Sequence, residues 1–68
     1  MLRRLITTIE ENQDGSFTVD TVEHYGIKAN IARNIIPKEM ADSNDLDALV
    51  VDVVHDQFKA LYKIKEPI

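Results

Sequence analysis

Lys28, Asn30, Arg33, Asn34 and Lys38 are the residues of this 68-residue chain whose types and spacing suit one defined chemistry, the reading of base edges. An arginine donates in a fork to guanine O6 and N7, and an asparagine amide pairs two ways with adenine in the major groove. On a helix, Asn30, Arg33 and Asn34 stand three and four residues apart and share a face. Lys28 and Lys38 bracket them and suit phosphate oxygens, contacts that position a protein without reading sequence.

A second set is acidic. Asp42, Asp45, Asp47, Asp52 and Asp56 crowd the second half of the chain. Residues 1–38 carry five basic and five acidic side chains, whereas residues 39–68 carry three and seven, so three minus seven supplies the whole net charge of −4. Such a run is a solvated helix face that can also meet a basic protein partner or imitate phosphates.

Catalysis and metal binding find little footing. His24 and His55 are the two histidines, and their spacing implies no serine–histidine–acid or paired-carboxylate arrangement. With no cysteine there is no disulfide, thiolate zinc site or thiol nucleophile. His55, Asp52 and Asp56 share a helix face too poorly to ligate a metal. Glu10 to Phe17 resembles part of an EF-hand calcium loop, but Thr21 stands where the closing bidentate glutamate is needed, and a plain Asp-Gly turn explains the same letters. Ala41 to Asp45 resembles the phosphopantetheine attachment site of acyl carrier proteins. Only ten residues follow Phe58, however, and Ser43 as a helix cap accounts for that match. No enzyme, cofactor or metal is expected.

The elements that would position these residues follow from periodicity. Leu46, Leu49, Val50, Val53, Val54, Phe58, Leu61 and Tyr62 recur at helical steps, so a long helix is expected over 43–63 with Ser43 as its N-cap. Leu2, Leu5, Ile6 and Ile9 predict a helix over 2–12. They read almost as well as one arm of a β-hairpin around Asp14-Gly15, in which a three-residue connection sets Ile9 opposite Val19 and Ile6 opposite Val22. Residues 17–36 resemble a helix-turn-helix DNA-binding domain: Thr18 caps a helix over 18–25, Gly26 makes the left-handed corner, Ile27 plugs it, and a second helix over 28–36 buries Ala32 and Ile35. The resemblance implies an all-α four-helix domain with base-reading residues on its second core helix. The alternative is an α+β fold with an N-terminal β-hairpin packed on two helices.

Length and composition frame both readings. A chain this short, 44% apolar and 29% charged, is one globular domain whose core needs help from a partner. Its longest apolar run, Ala48 to Val51, is too short to span a membrane, and the chain reads as a complete, unprocessed, cytoplasmic product. A homodimer through the 43–63 helix is expected. The leading functional expectation is a regulator that binds duplex DNA as a dimer. The alternative is an acidic protein-binding module, an inhibitor or adaptor of the kind that phage or plasmid genomes encode, acting on a basic protein through Asp42 to Asp56.

Overall fold

A computed structural model describes the backbone of residues 3–43 and 45–65, and the side chains of these as far as residue 62. Three strands come first, β1 (Arg3–Glu11), β2 (Phe17–Tyr25) and β3 (Lys28–Ile36), then a short helix α1 (Lys38–Ser43) and a long helix α2 (Leu46–Lys65). The strands form an antiparallel meander in the order β1-β2-β3. The fold is α+β, and the all-α expectation is overturned: the segments expected as helices over 2–12, 18–25 and 28–36 are the three strands.

The physical reason lies in β-branching and in an ambiguity of period. Ile6-Thr7-Thr8-Ile9, Thr18-Val19, Thr21-Val22 and Ile35-Ile36 are residues whose rotamers are restricted on a helix and pack well on a pleated surface. A four-residue step such as Leu5 to Ile9 keeps one face of a strand as well as one face of a helix. Segments of this length are also too short to hold a helix unaided, whereas strand pairing satisfies their backbone groups at once.

Both turns are tight. Ile6 faces Val22 and Ile9 faces Val19, the register of the hairpin alternative. Asn12 N–H donates to the Ser16 carbonyl at 2.8 Å and Gly15 N–H to the Asn12 carbonyl at 3.0 Å, with Gly15 at φ 91° closing the three-residue connection. Asp14 Oδ1 accepts from the Ser16 hydroxyl and amide at 2.6 and 2.9 Å, and these donors hold its carboxyl below the usual range. Gly26 has the positive φ that the sequence demanded, 64°, but in another setting. With Ile27 it forms a two-residue turn between Tyr25 and Lys28, a glycine-first hairpin turn and not a corner between helices.

Helix α2 lies over β2 and β3 on one side of the sheet. Val19, Ile36 and Leu61 are the buried apolar side chains there, joined by Gln57 and Thr21. The valine-rich stretch of α2 stays helical, but the helix begins three residues later than expected. Asp45 is the cap, its Oδ1 accepting from Asp47 N–H at 3.1 Å and its carbonyl from Leu49 N–H. Ser43 instead closes α1, donating its hydroxyl to the Glu39 carbonyl. The acid-bearing aspartate outcompetes serine because its full charge also meets the positive end of the helix.

Candidate functional site

A strand sends alternate side chains to opposite faces, so β3 divides the residues expected to read bases. Asn30 and Asn34 share the face that carries α2, and each is engaged: Asn30 Nδ2 donates to Glu23 Oε1 at 3.2 Å, and Asn34 Oδ1 accepts from Gln57 Nε2 at 2.9 Å. Arg33 lies on the other face. Its Nε and Nη2 donate to the two carboxylate oxygens of Asp20, both at 2.8 Å. That fork holds the Asp20 carboxyl below its ordinary range and raises the Arg33 guanidinium. Lys28 begins β3 beside the second turn, and Lys38 pairs with Asp42 one turn along α1, which raises its ammonium pKa. The five expected residues do not project from one surface.

The acidic set is likewise dispersed. Asp42 is neutralised by Lys38, Asp45 caps α2, and Asp47 sits in its first turn. Asp52 and Asp56, four residues apart on α2, are both exposed. His24 and Arg4 are register partners at one end of the sheet, and His55 is exposed on α2. Among the described residues no group of three histidines or acids lies close enough to hold a metal ion. The stretch read against a calcium loop is the first hairpin turn, with Asp14 committed to Ser16.

Two arrangements emerge that the sequence did not announce. The first is a buried ion pair. Glu23 is 0% exposed on β2, and Arg3 on β1 brings its Nε within 2.8 Å of Glu23 Oε2. The contact is electrostatic more than directional, since neither atom makes an aligned hydrogen bond. The Arg3 guanidinium also lies over two rings, 4.5 Å from the centroid of Tyr62 and 5.6 Å from that of Tyr25. Glu23 follows Val19 and Thr21 at two-residue steps, which is the signal that could have placed it inward.

The second arrangement is the sheet face that α2 leaves open. Register partners build it in rows: Arg4, His24 and Ala29; Ile6, Val22 and Ile31; Thr8, Asp20 and Arg33; Glu10, Thr18 and Ile35. Ile6, Ile31 and Ile35 are 45%, 66% and 59% exposed. The Asp20–Arg33 fork crosses between them and neutralises the charge at the middle of an apolar surface.

Comparison with protein families, curated proteins and solved structures finds no match to the chain. Among the described residues no helix is long and apolar enough to cross a membrane.

Proposed function

We propose that the chain is a non-enzymatic protein-binding module whose working surface is the open face of the sheet. One observation carries this reading. Among the described residues three of the eleven exposed large apolar side chains, Ile6, Ile31 and Ile35, stand on this one face, as many as the apolar side chains the fold buries, Val19, Ile36 and Leu61. A row of register partners, Ile6, Val22 and Ile31, is apolar across all three strands. An exposed apolar row of this kind, flanked by polar groups, is the sort of surface that protein contact sites use. With Asp20 and Arg33 paired at its middle and Arg4 and Glu10 toward its two ends, this face offers a partner one charge of each sign at its rim.

The duplex-DNA expectation has less support. Affinity for DNA rests largely on cations set against phosphates, and here Arg33 and Lys38 are each committed to an aspartate. A photo-crosslinking residue at Ile31, in cells that encode the protein, tests the reading. Discrete heavier protein adducts, lost on Ile6→Asp while the circular dichroism spectrum is unchanged, are expected. A salt-dependent shift of duplex DNA without such adducts would overturn it.

A further inference from the structure

Strand β1 is an edge of the sheet, and all its residues from Arg4 to Glu11 are exposed. An uncovered edge is a template for another strand. Its own sequence says which one. Arg3-Arg4-Leu5-Ile6-Thr7-Thr8-Ile9-Glu10-Glu11 has two cations at one end, two anions at the other, apolar residues between and Thr7 at its centre. Turned about Thr7 and laid antiparallel, the strand complements itself. From this we propose that two copies of the chain pair through β1, on a twofold axis at Thr7, into one continuous six-stranded sheet.

The register follows from charge and from backbone direction. Pairing Thr7 with Thr7 of the partner subunit sets Leu5 against Ile9 of the partner subunit and Arg4 against Glu10 of the partner subunit, while Arg3, its guanidinium already held by Glu23, takes the register position opposite Glu11 of the partner subunit. A shift of two residues either way sets arginines or glutamates against apolar or threonine side chains, and parallel pairing sets arginine against arginine. The first hairpin supplies the second condition. Asn12 N–H bonds to Ser16 across it, and the pairing with β2 runs unbroken from Glu11 to Arg3, so even-numbered β1 residues turn their peptide groups toward β2. The odd-numbered residues, Leu5, Thr7 and Ile9 among them, turn theirs to the open edge, where the proposed register needs them.

The side chains near this edge fit the same partner. Leu5 and Ile9 lie on the side of the sheet that carries α2 yet remain 36% and 48% exposed, because α2 sits over β2 and β3. Tyr62 under Arg3 identifies the flank of α2 nearest β1, and Val51 and Phe58 share that flank at seven- and four-residue steps. Across the twofold axis Leu5 and Ile9 of each copy become neighbours beneath two such flanks. The opposite edge lacks this symmetry: β3 carries Lys28 and Arg33 and no acid, so turned upon itself it sets cations against isoleucines.

The test is a charge swap on the intact chain, read by sedimentation equilibrium and amide hydrogen exchange. The wild-type chain is expected to sediment at twice 7.8 kDa. Glu10→Arg should weaken the dimer about ten-fold or more, since the reversal acts at two symmetric pairs, and the double variant Arg4→Glu/Glu10→Arg should restore it. Amides of Leu5, Thr7 and Ile9 should be protected in the dimer and exchange rapidly in the Glu10→Arg monomer, while those of Ile6 and Thr8 stay protected in both. A monomeric wild type overturns the proposal. So does a dimer indifferent to Glu10→Arg, or one whose Leu5, Thr7 and Ile9 amides exchange freely, as association through α2 alone would give.

Discussion

The Thr21 hydroxyl donates to Gln57 Oε1 at 2.7 Å, and through this bond one helix side chain is tied to all three strands. With its proton so used, Thr21 Oγ1 accepts from the Thr7 hydroxyl at 2.8 Å. The Gln57 amide nitrogen donates to the Val19 carbonyl at 2.8 Å and to Asn34 Oδ1 at 2.9 Å. Every polar atom of a 2%-exposed glutamine is therefore satisfied.

Gln57→Ala leaves the Thr21 hydroxyl, the Val19 carbonyl and the Asn34 amide oxygen short of a partner and opens a hole beside Leu61. It should destabilise the fold by about 2–3 kcal/mol. Urea unfolding followed by circular dichroism measures this, and a loss under about 0.5 kcal/mol would mean that water substitutes for the amide.

The Arg3–Glu23 pair makes a sharper demand. Arg3→Met removes the counter-charge from a buried carboxylate and should cost about 3 kcal/mol, whereas Arg3→Met/Glu23→Leu removes both charges and should recover most of that loss. Equal stabilities for the single and double variants would place the Glu23 carboxylate in contact with solvent.

Acid should weaken the protein through two carboxylates. Asp14 and Asp20 are both held below their ordinary value of 3.8, by Ser16 donors and by Arg33 respectively. A carboxyl depressed by folding contributes stability above its unfolded pKa, and that contribution disappears as pH falls through its folded one. Urea midpoints measured at pH 7 and pH 2.5 should therefore separate wild type from Asp14→Asn/Asp20→Asn at the higher pH and converge at the lower.

Gly15 is constrained twice. Its φ of 91° lies where side chains strain the backbone, and a Cβ there would come within 2.9 Å of the Lys38 side chain. Gly15→Ala should cost about 1–2 kcal/mol by thermal or urea unfolding. Shortening the neighbour in Gly15→Ala/Lys38→Ala should recover only the steric share.

The long amphipathic helix, the turn at Asp14-Gly15 and the positive φ at Gly26 were legible in the sequence, because each rests on a local signal: a sustained period, or a glycine that a turn requires. The hairpin register was legible as well, as Ile6 opposite Val22 and Ile9 opposite Val19. The choice between strand and helix was not, since Leu5 to Ile9 satisfies both periods and only pairing with β2 decides. That one decision scattered the candidate site. Asn30, Arg33 and Asn34 gather on a helix and divide on a strand, so Arg33 meets Asp20 on one side while Asn34 meets Gln57 on the other. Glu23 escaped notice because a glutamate is seldom fully buried unless paired, and its partner lies twenty residues upstream at Arg3.

The meander also governs how the chain finds its shape. Each strand's neighbour in the sheet is its neighbour along the chain, so the sheet zips outward from two small turns with little loop entropy to overcome. The slow search is the one that returns Gln57 to Val19 across 38 positions. Refolding kinetics should accordingly be set by helix docking, with hairpins already formed at the barrier.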